Sequence, residues 1–125
     1  MKNDILPTPM DAPEADSAIL ATLIGDASSR AVQPAEDAAL SRLIRIAQGD
    51  TGQSRRVADF LLAWWNANSC GGFDLTTLWS VDPDIAVDMI TVFALIARVN
   101  SYPDSLGYEV DFKAIIQTWR PELAG

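Results

Sequence analysis

The sequence predicts an all-α fold: a compact, irregular (orthogonal) bundle of about five helices with a flexible N-terminal tail. Three observations lead there. Two long segments, Arg55–Asn68 and Asp82–Asn100, are almost wholly apolar; VADFLLAWW (Val57–Trp65) carries only Asp59, and DIAVDMITVFALIARV (Asp84–Val99) only Asp84, Asp88, Thr91 and Arg98 as polar positions. No window alternates with period two, the mark of a half-buried strand. The segments are short and no heptad persists, which favours a bundle over a long coiled coil.

A chain of 125 residues supports one domain. It divides into a tail, 1–35, and a helical domain, 36–125. Four of the seven prolines (Pro7, Pro9, Pro13, Pro34) fall in the tail among Asp, Glu, Ala and Ser, a composition that disfavours folding. One stretch breaks the pattern. In SAILATLIGDASSR (Ser17–Arg30), Ile19, Leu20, Leu23, Ile24 and Ala27 recur at three- and four-residue spacing on one helical face. A helix this short is marginal alone in water, so its stripe must dock on its own domain or on a partner.

Within the domain, Leu40, Leu43, Ile44 and Ala47 form the stripe of a first helix, with Ser41, Arg42, Arg45 and Gln48 toward solvent and Gly49 as its stop. Asp50 or Thr51 caps a second helix, Gly52–Asn68. Its Val57, Ala58, Phe60, Leu61, Trp64 and Trp65 cover a broad arc, with Arg55, Asp59 and Asn66 on the opposite edge. SCGGF (Ser69–Phe73) is a glycine turn. Asp74 caps a short helix whose Leu75, Leu78 and Trp79 are expected to point inward. Asp82-Pro83 opens the most apolar helix, to Asn100, in which Asp84, Asp88, Thr91, Leu95 and Arg98 share one stripe expected to face solvent. SYPDSLG (Ser101–Gly107) is a loop. A last helix, Tyr108–Trp119, places Phe112, Ile115, Ile116 and Trp119 on one face and stops before Pro121.

The residue inventory argues against chemistry. Histidine, the commonest general base and metal ligand, is absent. Cys70 has no histidine to activate it and no second cysteine to pair with. Asp84 and Asp88, one turn apart, are the best paired carboxylates, yet the helix brings no further ligand to them. GDTGQSRR (Gly49–Arg56) sets two glycines and two arginines at a helix N-terminus, without the lysine or the spacing of a phosphate loop. The net charge of -8 opposes direct binding to a phosphate backbone. The helix pair around this turn lacks the polar recognition helix that reading DNA requires. MKNDILPTPMDAPEAD has no apolar core of a signal peptide, and Ile85–Val99 is too short to span a bilayer. No cofactor, metal or membrane is expected, and the location expected is the cytoplasm.

Three segments carry a family resemblance: QGDTGQSRRVADFLLAWWNANSCGGFDLTTLWSVD (Gln48–Asp82), MITVFALIARVNSYPDSLGY (Met89–Tyr108) and the terminal WRPEL. The runs RRVADFLLAWWNA, CGGFDL and YPDSLGY are its most distinctive parts. Together they resemble a small uncharacterised bacterial family, a domain of unknown function often found among the cargo genes of integrative and conjugative elements. The similarity covers about the last ninety residues, one domain's length, and leaves the first thirty-five outside. It implies a mobile-element context and brings no activity and no catalytic residues.

The expectation is therefore a non-enzymatic accessory protein of a mobile genetic element that binds another protein, which includes the case of a second copy of itself. Candidate interaction residues are Ile19, Leu20, Leu23 and Ile24 on the tail stripe, Arg55 and Arg56 as the local concentration of positive charge, and Trp65. Trp65 and Trp64 point about 100° apart on a helix, so one of them is a candidate exposed anchor. An acidic mimic of nucleic acid that inhibits a host protein is the first alternative. A small enzyme using Asp59, Asp84 or Asp88 with Arg55 or Arg56 is the second.

Overall fold

The computed structural model describes residues 31–124. They form helices α1 (Pro34–Ala47), α2 (Gly52–Cys70), α3 (Pro83–Val99), α4 (Glu109–Trp119) and the single turn α5 (Pro121–Ala124). Two 3₁₀ turns, Leu75–Ser80 and Pro103–Leu106, lie on either side of α3, and no strand occurs among the described residues. The all-α bundle expected from the sequence is what forms. Helix α1 is its centre, packing on α2, α3 and α4.

The helix ends follow local chemistry. Helix α1 starts at Pro34, before the expected Glu36, because a proline suits the first helical position. Gln33 and Glu36 form a capping box there, and the Gln33 N–H donates to Glu36 Oε1 at 2.8 Å. Thr51, not Asp50, caps α2; its Oγ1 accepts the Ser54 N–H at 3.0 Å. Gly49 lets these turns close up, since a Cβ there would sit 2.8 Å from Ser54 Oγ. Helix α2 is broken at Asn66 (φ -160°), whose side chain caps the next turn through the Ser69 N–H. It therefore runs on to Cys70, two residues beyond expectation, and stops at Gly71, whose φ of 99° favours glycine.

The core joins Leu40, Leu43, Val57, Leu61, Leu62, Met89, Val92, Leu95, Phe112 and Ile115, all essentially inaccessible. Phe112 is wedged between two tryptophans. Its ring meets Trp64 and Trp65 edge-on, each at 5.8 Å between centroids, a favoured aromatic geometry. The residues after Phe112 close off two other helices. Trp119 Nε1 donates to the Ala47 carbonyl at the end of α1 (2.8 Å), and Arg120 Nε to the Cys70 carbonyl at the end of α2 (2.9 Å). Both carbonyls are among those a helix C-terminus leaves unsatisfied. Arg120 Nη2 also pairs with Asp59 at 2.8 Å.

Two ion pairs join α1 to α3, and they reverse the expected orientation of α3. Arg98, with no exposed side-chain surface, grips Glu36 with both terminal nitrogens, Nη2 reaching Glu36 Oε1 at 2.7 Å. The same Nη2 donates to the Ala31 carbonyl at 2.7 Å. Arg42 makes a two-point bond to Asp88, Nε to Oδ2 at 2.8 Å and Nη2 to Oδ1 at 2.9 Å. Asp88, Leu95 and Arg98, expected toward solvent, are buried, while Val87, Ile90 and Phe93 are exposed. The reason is partnership: a buried charge is tolerated where a bidentate counter-charge meets it, and α1 supplies both. Arg42 remains exposed, as expected, while its guanidinium reaches across to Asp88.

Burial pushes the Glu36 carboxyl up, but its hydrogen bonds from Arg98 and Gln33 and the Arg98 charge outweigh that and hold it below its ordinary value of 4.5. A depressed carboxylate contributes stability above its unfolded value and loses it as pH falls through the folded one. The protein should hold a constant urea midpoint down to about pH 4.5 and then weaken, with a shallower acid limb in Glu36→Gln. An equal acid slope in both proteins counts against this account. At neutral pH, Phe112→Ala should cost about 3–5 kcal/mol in urea unfolding, as for a fully buried ring.

Candidate functional site

The sequence-predicted interaction residues fall into three places. Ile19, Leu20, Leu23 and Ile24 lie outside the described residues. Trp65 is half-buried: one edge meets Phe112, and the rest lines a groove of about 620 Å³ with Val110, Ile116 and Leu123 on α4 and α5. Arg55 and Arg56 line a cleft of about 400 Å³ with Gly52, Asp59, Thr76, Thr77 and Ser80. The structure thus separates Trp65 from the arginines and sets the arginines against the 3₁₀ turn.

That turn is built by its neighbours. Asp74 starts it by accepting the Thr76 N–H at 2.9 Å and the Thr76 hydroxyl at 2.8 Å. These bonds hold the Asp74 carboxyl below its ordinary value. Gln53, in the first turn of α2, clamps the far end: its Nε2 donates to the Ser80 carbonyl at 3.1 Å, and its Oε1 accepts the Asp82 N–H at 3.3 Å. Leu78 packs on the core between these ties.

Trp79, expected inside, is 85% exposed, and Leu75 is 65% exposed. The difference is one of helical period. A 3₁₀ turn has three residues per turn, so Trp79 shares its exposed face with Thr76 while Leu78 packs on the core; Leu75, the first residue of the turn, lies on the Leu78 face but is exposed. In an α-helix, at about 3.6 residues per turn, Leu75, Leu78 and Trp79 would share one face. The cue available in the sequence was length, a seven-residue segment between the capping Asp74 and Asp82-Pro83, since runs that short favour the tighter helix.

Around the cleft, Arg55 and Arg56 take part in none of the ion pairs among the described residues. They stand in the first turns of α2, where the uncapped N–H groups add positive potential. Basic side chains and hydroxyls therefore share the cleft, and the exposed indole stands on the turn that supplies its threonines.

Groups that could do covalent or acid–base work do not converge. Asp59 lies in the cleft but is tied to Arg120, Asp88 is tied to Arg42, and Asp84 is exposed one turn before Asp88 on α3. Cys70 is buried, and burial pushes its thiol up, against the charge of Arg120. That is the reverse of what a nucleophile needs. Among the described residues no three of His, Cys, Asp and Glu are placed to hold a metal ion, and no helix is long and apolar enough to cross a membrane.

No curated protein and no solved structure matches the chain. A family of unknown function, DUF7673, matches residues 37–120, which is 84 of the 125 residues and takes in most of α1 and all of α2 through α4 with the cleft, the 3₁₀ turn and the Arg42–Asp88 pair, beginning just after Glu36. The chain belongs to this family.

Proposed function

We propose that this protein is a non-enzymatic binding module that engages a protein partner through Trp79, Leu75, Arg55 and Arg56. The observation that carries this reading is the position of Trp79. A large indole is left in water on a turn tied at both ends, and Thr76, Thr77 and Ser80 of that turn line a cleft with two arginines that have no ion-pair partner among the described residues. Tryptophan and arginine are the residue types that dominate binding hot spots. A side chain held by its scaffold loses little further entropy on docking. The partner that fits is a protein surface with an apolar pocket for the indole and acidic groups at its rim. The dispersal of the carboxylates, with Asp59 and Asp88 each tied to an arginine, supports binding over catalysis. The family resemblance supports a role as an accessory protein of a bacterial mobile genetic element, and we place that role in the cytoplasm.

The test is affinity capture from host lysate with three proteins: wild type, Trp79→Ala, and Arg55→Glu with Arg56→Glu. Trp79→Ala should leave thermal stability within about 0.5 kcal/mol, because the ring is exposed. It should weaken a specific partner by about 30-fold or more, as loss of a hot spot does. The charge reversal should weaken the same partner, and more at low salt than at high. A partner held equally by all three proteins would rule this surface out.

A further inference from the structure

We propose, resting on the protein-binding reading of this surface, that the cleft between α2 and the 3₁₀ turn Leu75–Ser80 holds a phosphate monoester. The partner protein carries that group as a phosphorylated side chain, and Arg55 and Arg56 are its counter-charge. The cleft, of about 400 Å³, is lined by Gly52, Arg55 and Arg56 from α2 and by Thr76, Thr77 and Ser80 from the turn. None of its lining side chains is apolar, so burial of an apolar group is not what it offers.

Charge sets the class of ligand. Asp59 is the one carboxylate in the cleft, and Arg120 Nη2 holds it at 2.8 Å. The described residues contain seven cations, of which Arg42, Arg98, Lys113 and Arg120 are in ion pairs. Arg55 and Arg56, two of the other three, line this cleft with no counter-charge among the described residues. Gly52 lets one of them lie close to the backbone. A Cβ there would sit 3.2 Å from Arg56 Nη1 and 3.9 Å from its Cζ, so the guanidinium rests on the first residue of α2. Two positive side chains are thus gathered where the first N–H groups of the helix already add positive potential. That gathering is unfavourable by itself and becomes favourable when an anion enters.

Two arginines match the charge of a phosphate monoester, about -1.5 to -2 near neutral pH, whereas a carboxylate carries a single charge. Their planar forks suit two-point bonds to phosphate oxygens, and a third oxygen is left for a neutral donor. Thr76 donates its hydroxyl to Asp74, which leaves the hydroxyls of Thr77 and Ser80 for that role. A diester backbone fits less well. It has one charge per phosphate, and the net charge of -8 repels the strand on either side. The protein source follows from Trp79 and Leu75, which are exposed on the turn that supplies the hydroxyls. They offer apolar contact to residues flanking a phosphorylated one, and a free phosphate ion has no use for it.

Amide NMR of the full-length chain at low salt tests the chemistry, with N-acetyl-O-phosphoserine amide and N-acetylglutamate amide as probes. The phosphoserine probe should shift amides 52–56 and 76–80 and bind at least about 10-fold more tightly than the glutamate probe. Arg55→Gln with Arg56→Gln should weaken it at least about 10-fold, while amides of α3 and α4 keep their wild-type positions and show the fold intact. Absent shifts, equal affinity for the two probes, or binding unchanged in the double variant would each overturn the proposal. The source is read by repeating the lysate capture after phosphatase treatment, which should remove from wild type the partner that depends on Trp79. A partner that survives phosphatase and still depends on Trp79 overturns the phosphoryl group and leaves the protein-binding surface standing. Equal capture by wild type and Trp79→Ala removes that surface instead, and with it the protein source of the phosphate.

Discussion

The buried guanidinium of Arg98 is the constraint on which the arrangement of this bundle depends. A cation with no exposed side-chain surface is sustained only by a counter-charge and filled hydrogen bonds. Glu36 supplies the charge from the first turn of α1, and the Ala31 carbonyl takes a further donor. That one requirement places the start of α1 against the end of α3. Arg42 and Asp88 then lock the opposite ends and fix the rotation of α3 about its axis. With the charged stripe turned inward, three large apolar side chains have no position left but the outside.

A second constraint comes from the last residues of α4. Trp119 and Arg120 each bury an apolar or planar body while their N–H groups reach the carbonyls that end α1 and α2. Trp64 does the same for the Ser101 carbonyl just past α3. Two helix ends and the loop that follows α3 are thereby tied by side chains that also form the rim of the core. Phe112, between two indoles, anchors α4 so that these hooks arrive in place. The Trp-Arg-Pro run of the family resemblance thus has a structural use, since proline ends α4 just after the two side chains that close off its neighbours.

These two constraints leave distinct surfaces for recognition. The turn carrying Trp79 is held by Asp74 and Gln53, so its indole is presented without being enclosed. The outer face of α3 is uncovered because the charges opposite it are paired. The first surface mixes positive charge with an aromatic ring, and the second is purely apolar. Surfaces of such different chemistry suit different occupants.

The sequence by itself determined the helices, most of their caps and most of the core, because three- and four-residue spacing, proline at a first turn and glycine after a last one act locally. Leu40, Leu43, Val57, Leu61, Phe112 and Ile115 were legible for that reason. It also marked Arg55 and Arg56, a pair visible as a charge cluster in an acidic chain. Which side of α3 faces inward was decided only by the tertiary structure. A helix apolar around most of its circumference has no unique inner face in its own pattern, and the choice fell to Glu36 and Arg42, forty-six to sixty-two residues away. The exposure of Trp79 was likewise decided by a turn of three residues per period, clamped by Gln53 from a distant helix. Local spacing sets which side chains share a face; only the partners brought by the fold decide which face is buried.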